Sequence, residues 1–274
     1  MTRLVFGCGY LGCRVALAWL ADGRQVAAVT RNAGRAEKLA RAGIEPIVAD
    51  VTRPETLAGL PPAETVLYSI AYDPRSAPSR RAVTVGGLQN VLDALDRQTG
   101  RLIYASSTGV IGDRRGDWVD EAAECRPVRE AGRFGLEAEE RLRGHPLGSR
   151  AIIIRLAGLY GPGRIPKLAD VKAGRPVAAP ADSFLNLIHV DDAVRVILAA
   201  ESKAAAPRTY LASDGSPTTR RDFYRQIARL LGAAPPRFSA PEPGSRAAAA
   251  ILGNKRISNR RMLEELGVEL RFPS

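Results

Sequence analysis

The chain has 274 residues, a formal net charge of +11 and 45% hydrophobic residues, a globular composition sized for one domain or a domain with a smaller lobe. Its three cysteines are too few and too badly spaced for a disulfide framework or a metal site, and no apolar run reaches the ~18 residues that span a bilayer. The basic residues are scattered and 35 of the 40 are arginines, which weakens the case for a nucleic-acid-binding stripe.

The first stretch, Leu4-Val5-Phe6-Gly7-Cys8-Gly9-Tyr10-Leu11-Gly12, reads as a buried strand, a tight turn and the start of a helix. Its glycines have the spacing G-x-G-x-x-G. Gly7 permits the turn, Gly9 lets a pyrophosphate approach the backbone, and Gly12 lets helix and strand pack closely. The N–H groups at the helix start, with Tyr10 and Leu11, then face the phosphates. A glycine-rich turn without a ligand is the competing reading. A secretory or lipoprotein signal is hinted at by Arg3, the apolar run to Leu20 and Gly12-Cys13. It fails because Gly7, Gly9, Gly12 and Arg14 interrupt that run. The protein is therefore expected in the cytoplasm, with Cys8 in the loop and Cys13 on the helix as reduced thiols.

The first helix runs on to Leu20 and ends at Asp22-Gly23, and Gln25 to Thr30 is a second strand, completing the βαβ unit that the glycine spacing requires. An NAD site usually places Asp or Glu after this strand to bind the ribose 2′-hydroxyl. Here the residues are Thr30-Arg31-Asn32, with Arg35 one turn on. Arginine pairs with a 2′-phosphate that an acid would repel, so NADP is expected, with NAD possible. A helix over Ala36 to Ala42, closed by Gly43, and a strand over Ile44 to Ala49 lead to Asp50-Val51-Thr52. Asp50 and Val51 stand where the adenine would lie; alternatively Asp50 caps the segment after Pro54. Glu64 to Ile70 is a fourth strand, and its end places Ser69, Ala71 and Tyr72 at the cofactor crevice. A Pro-rich loop, residues 73–79, precedes a long helix over Arg80 to Gln98.

Arg101 to Ala105 is a fifth strand, followed by Ser106-Ser107-Thr108-Gly109-Val110-Ile111-Gly112. Ser149 to Leu156 is Ile-rich, as a central parallel strand would be. Four prolines mark Gly158 to Leu187 as largely loop, a length that usually serves function. Asp191-Asp192 opens a helix to Ala200; His189 before it is a structural residue or a catalytic base. A short strand over Thr209 to Ala212, a helix over Thr218 to Leu231 capped by Thr218 or Ser216, a Pro-rich linker from Gly232 to Gly244 and final helices complete the chain.

Several of these segments together resemble the extended short-chain dehydrogenase/reductases, the group of nucleotide-sugar epimerases and dehydratases. They are Ser106-Ser107 with the Val-x-Gly turn, Arg155 to Gly163 with its Tyr-Gly-Pro-Gly, Ile188-His189-Val190-Asp191-Asp192, and Asn254 to Pro273. The resemblance runs over nearly the whole chain in order. It implies a Rossmann-type doubly wound α/β fold with a parallel sheet and a small C-terminal substrate lobe. Residues 1–157, with 187–203 returning, would bind the dinucleotide; residues 158–186 and 204–274 would form the lobe. It also implies a homodimer through the helices at 80–98 and 131–142, and a small-molecule substrate. The group's chemistry uses Tyr-x-x-x-Lys after strand five, the lysine lowering the tyrosine's pKa. The matching segment is Glu130 to Glu139. One register puts Ala131 and Gly135 at those positions, the other Phe134 and Ala138, so neither supplies the pair. The chain thus resembles atypical members. Ser107 remains to bond a substrate oxygen, and Tyr72, Tyr104, Tyr160 and Arg133 are candidates for a replacement acid or anion binder, with Ser107, Tyr72 and Arg133 taken as the catalytic set. No metal is expected. The reading is an NADP-linked oxidoreductase or epimerase-like enzyme on a small anionic substrate, or else a cofactor-binding sensor without turnover.

Overall fold

A computed structural model describes residues 2–240, 242 and 253–272. Seven parallel strands form one sheet: β1 (Thr2–Phe6), β2 (Val26–Thr30), β3 (Glu45–Val48), β4 (Ala63–Tyr68), β5 (Arg101–Ser107), β6 (Ala151–Leu156) and β7 (Arg208–Ala212). Their order is β7-β6-β5-β4-β1-β2-β3. The order reverses between β1 and β4, which opens a crevice outside the carboxyl ends of the strands, the place where doubly wound sheets bind ligands. The interior strands are buried on both faces and read as continuous apolar runs; every residue of β2 and β6 is buried. Pro46 lacks an N–H to donate and sits in the edge strand β3, where that omission costs least.

Helices cover both faces. They are α1 (Gly12–Ala21), α2 (Ala33–Arg41), α3 (Gly87–Ala94), α4 (Glu130–Gly144), α5 (Leu168–Lys172), α6 (Val190–Lys203), α7 (Arg220–Leu231) and α8 (Arg260–Leu266). Trp19 of α1 and Ala193 and Ile197 of α6 pack in the core on one face, with Met262 and Leu266 of α8. Leu88, Val91 and Leu92 of α3 and Ala138 and Leu142 of α4 fill the other. A third cluster, built on Val171, Val177, Tyr224 and Ile227, joins α5 to α7. Short pairs tie the peripheral segments, among them Phe184–Leu185 with Thr218–Thr219 and Arg256–Ile257 with Trp118–Val119.

The long helix expected over 80–98 is interrupted. Residues Ala82–Gly86 form a π-helical turn, and α3 stops at Ala94 because Leu95 is extended. The fourth strand ends at Tyr68, two residues earlier than expected. Residues 208–212, grouped with the lobe in the sequence reading, are the edge strand of the main sheet. Helix α7 is capped by Thr219, whose hydroxyl accepts from the Asp222 N–H at 3.1 Å, and not by Thr218 or Ser216. The Pro-rich linker contains a strand, Phe238–Ser239, paired with Val177–Ala178. Its end at Gly244, any helix between 243 and 252 and Pro273 lie outside the described residues. No helix among those described is long and apolar enough to cross a membrane.

Candidate functional site

The crevice is a cleft of about 650 Å³ that runs from the end of β2, across the glycine turn, to the end of β5. Gly7, Gly9, Tyr10, Leu11, Arg31, Arg35, Asp50, Val51, Ser69, Ala71 and Ser107 all line it. Gly7 has φ +89°, and a Cβ there would lie 2.6 Å from Ile70 N. Gly12 lies off the wall; a Cβ on it would meet Gly7 O at 2.4 Å, so it seats α1 against the turn. Gly9 differs. A Cβ on Gly9 would find only Gly7 O, at 3.9 Å, so the backbone here borders open cleft, the cradle that a pyrophosphate needs. The Ser69 hydroxyl donates to Gly7 O at 2.9 Å and holds the turn from β4.

At the other end of the turn, two arginines stand in place of the acid. Arg31 follows β2 and lies 3.9 Å from Asp50. Asn32 caps α2 by accepting from Arg35 N at 2.9 Å, and the Arg35 guanidinium donates to Cys8 O, fixing it over the glycine loop. Asp50 does not cap the segment after Pro54: its carboxylate accepts from Thr52 N and Thr52 Oγ1, closing its own turn. Burial and the neighbouring Cys13 push the Cys8 thiol up to about 12, so it is a neutral part of the wall.

Beyond β5, Ser107 is exposed, and its Oγ accepts from Gly109 N at 3.1 Å. Ser106 points the other way and donates to buried Glu139 at 2.6 Å. Arg155 bonds both Glu139 oxygens, at 2.7 and 3.0 Å, and Arg143 adds a third contact at 2.8 Å. Burial alone would raise the Glu139 carboxyl, but hydrogen bonds and charge from Arg155 outweigh it and the net shift is downward. This anchored carboxylate locks β5, β6 and α4 together. Gly132 brings α4 onto the turn after β5, where a Cβ would lie 2.6 Å from Gly109 O.

The other catalytic candidates lie off the cleft wall. Tyr72 stacks under Arg80, 4.4 Å from the guanidinium carbon to the ring centroid. Arg133 is exposed and donates to Val128 O at 3.0 Å. Tyr104 is buried in the core, and burial raises its phenol. Tyr160 meets His189 edge-on at 5.2 Å. His189 is buried, caps α6 by accepting from Asp191 N, and stacks on Phe272 at 3.7 Å, a structural residue. The wall instead contains two arginines that the sequence reading passed over, Arg129 and Arg164, the second above the glycine loop. Arg164 sits 5.2 Å over the Tyr10 ring, whose hydroxyl donates to Pro162 O at 3.2 Å. Neither stands in a spacing that sets it apart from the other arginines. Among the described residues, no group of three or more His, Cys, Asp and Glu side chains converges to hold a metal ion.

Buried behind this end is Lys255, whose Nζ donates to Gly112 O at 3.0 Å. Burial lowers its amine to about 8; Arg129 and Arg114 push the same way and Asp113 opposes them. Between that value and the ordinary 10.5, Lys255 binds more protons in the unfolded chain than in the folded one, which raises stability with pH. Above about 9 the Cys8 and Cys125 thiols, both raised by burial, resist the ionisation open to unfolded cysteines and offset the rise, and above about 10 buried Tyr68 and Tyr104 reverse it. Urea unfolding at pH 7 to 9 is expected to show the rise, and Lys255→Met is expected to flatten it.

The parallel sheet with its switch-point crevice, glycine turn and open Gly9 cradle defines an NAD(P)-binding Rossmann protein of the short-chain dehydrogenase/reductase type. Residues 4–212 match the family model of the NAD dependent epimerase/dehydratase family, and the chain belongs to that family. Among curated proteins it is similar to Protein YeeZ of Escherichia coli K12, 30% identical over 98% of this chain and 95% of that protein. Among solved structures it is similar to a functionally unknown conserved protein from Silicibacter pomeroyi, 27% identical with a TM-score of 0.79, covering 100% of this chain and 94% of that one. A UDP-glucose 4-epimerase with UDP-glucose from Thermotoga maritima shares the fold, with a TM-score of 0.82 at 20% identity over 99% of this chain and 94% of the other.

Proposed function

We propose that this protein is an NADP-dependent oxidoreductase or epimerase-like enzyme acting on a small anionic substrate. The observation that carries the cofactor choice is the pair Arg31 and Arg35 on the cleft wall after β2, with no acidic residue following that strand. The glycine turn would hold the pyrophosphate, Arg31 and Arg35 the 2′-phosphate, and Val51, Ser69 and Ala71 the walls around the nucleoside. When bound, the cofactor supplies hydride transfer. Ser107 would hold the substrate oxygen at the far end, and residues 158–186 with parts of 213–272 would close over it. Two copies would pair through α3 and α4.

A second reading, a cofactor-binding sensor without turnover, is favoured by one feature. Helix α4, the element that carries the acid/base pair in the resembling enzymes, contains neither tyrosine nor lysine. The two readings share the cofactor claim, which a fluorescence titration tests. NADPH is expected to bind more tightly than NADH. Arg31→Ala is expected to weaken NADPH by about 1.5–3 kcal/mol, the worth of a charge-assisted hydrogen bond, and to leave NADH unchanged. Equal affinities, or an Arg31→Ala protein with unaltered NADPH binding, would remove the NADP assignment.

A further inference from the structure

A single turn beyond β6 carries a cation onto the glycine loop. Residues 161–164 form a tight hairpin turn, closed by Arg164 N–H to Gly161 O at 2.9 Å and Gly161 N–H to Arg164 O at 3.2 Å. Pro162 presets φ at the first corner, and Gly163, with φ +72°, fills the second. Tyr10 bolts this turn to the glycine loop. Its hydroxyl donates to Pro162 O at 3.2 Å, and a Cβ on Gly161 would lie 2.9 Å from that hydroxyl. Two guanidinium groups share the Tyr10 ring, Arg14 at 4.3 Å and Arg164 at 5.2 Å from its centroid. They differ in their partners. Arg14 pairs with Asp191 at 3.6 Å and donates to Tyr10 O at 2.7 Å. Arg164, among the described residues, makes no ion pair and no side-chain hydrogen bond, and the Tyr10 ring orients it. It lines the same cleft wall as Gly7, Gly9 and Tyr10. Of the other arginines on that wall, Arg31 lies near Asp50 and Arg35 is committed to Cys8 O.

A dinucleotide's pyrophosphate brings two negative charges to the glycine loop, where the amides at the start of α1 offer only partial positive charge. A full cation above that loop completes the neutralisation, and a guanidinium grips phosphate oxygens through two parallel N–H bonds. We infer that Arg164 is a cofactor-binding residue, the cation by which the 161–164 turn clamps the pyrophosphate onto the glycine loop. This role rests on the reading of the cleft as a dinucleotide site and adds to it a ligand from the segment after β6. Tyr10 is then a positioning residue: its ring aims the guanidinium and its hydroxyl holds the turn. The pyrophosphate is common to NADP and NAD. Arg164 therefore contributes affinity for both without choosing between them, in contrast to the role proposed for Arg31.

The test titrates NADPH, NADH and ADP-ribose by calorimetry into the full-length protein and its variants. ADP-ribose keeps the pyrophosphate and lacks both the nicotinamide and the 2′-phosphate. Arg164→Met is expected to weaken all three by a similar factor, about tenfold or more, and to leave the ratio of NADPH to NADH affinity unchanged. Arg164→Lys keeps the charge and loses the fork, so it is expected to recover part of the loss. Arg31→Ala, in the same assay, is expected to weaken NADPH alone. Unaltered binding of all three by Arg164→Met would overturn the clamp. So would a loss confined to NADPH, which would put Arg164 at the 2′-phosphate, or a loss that spares ADP-ribose, which would put it at the nicotinamide half. A wild-type protein that binds none of the three would overturn the cofactor reading and this role with it, whereas a wild type that binds and an Arg164→Met protein that binds equally well would overturn this role alone. Arg164 is exposed, so its loss leaves the core intact; melting temperatures confirm that each variant is folded.

Discussion

A Gly9→Val protein is expected to fold normally and to bind no dinucleotide. The two halves of that result have separate causes. Gly9 has no left-handed φ, and its added Cβ would find only Gly7 O at 3.9 Å, so the protein accommodates the side chain. The isopropyl group would then stand in the cleft, in the space that lets a pyrophosphate reach the backbone amides. Fluorescence titration with NADPH and NADH measures the loss, and circular dichroism with a melting curve measures the fold. Gly7→Ala is the contrasting control. With φ +89° and a Cβ 2.6 Å from Ile70 N, it is expected to destabilise the chain itself. Normal cofactor binding by Gly9→Val would mean that the ligand of this cleft does not lie on the glycine loop.

The contrast between the two glycines shows what was legible in the sequence. The G-x-G-x-x-G spacing after an apolar run is a local signal: strand, turn and helix start are contiguous, and each glycine's role follows from its place in the turn. The apolar runs at 151–156 and 26–30 announced buried parallel strands for the same reason. The membership of β7 in the sheet was not legible, because an edge strand of five residues reads the same in a lobe. The break in the 80–98 helix was hidden because a π-turn leaves the apolar periodicity nearly intact. The arginines of the cleft wall were least legible. Arg129 and Arg164 come from segments that reach the cleft only through the fold, and in a chain with 35 arginines no single one stands out. Glu139 was visible only as the end of a family pattern. The structure gives it a physical task, the buried acceptor for Ser106, Arg143 and Arg155.

Ser107→Ala is expected to lower turnover by about 10²–10³ while leaving NADPH affinity unchanged, the usual loss for one preorganised donor at a developing oxyanion. The geometry separates Ser107 from its neighbour. Ser106 is buried and its proton is committed to Glu139. Ser107 is exposed on the cleft wall, and its Oγ accepts the Gly109 N–H. That bond occupies one lone pair, fixes the rotamer and leaves the hydroxyl proton free to donate into the cleft. A turn cap alone would show up differently. Its loss costs stability of about 1 kcal/mol and shifts the melting curve, not the rate. Ser107→Thr keeps the hydroxyl and is expected to restore most of the turnover. The measurement is NADPH oxidation over a panel of small carbonyl acids and phosphate esters, with UDP-glucose and UDP-galactose included. The nucleotide sugars are expected to react slowly or not at all, since α4 offers neither tyrosine nor lysine to move the proton. Wild-type turnover by Ser107→Ala would reduce Ser107 to a turn cap. Vigorous epimerisation of a UDP-sugar by the unaltered protein would show that a group outside α4 moves the proton.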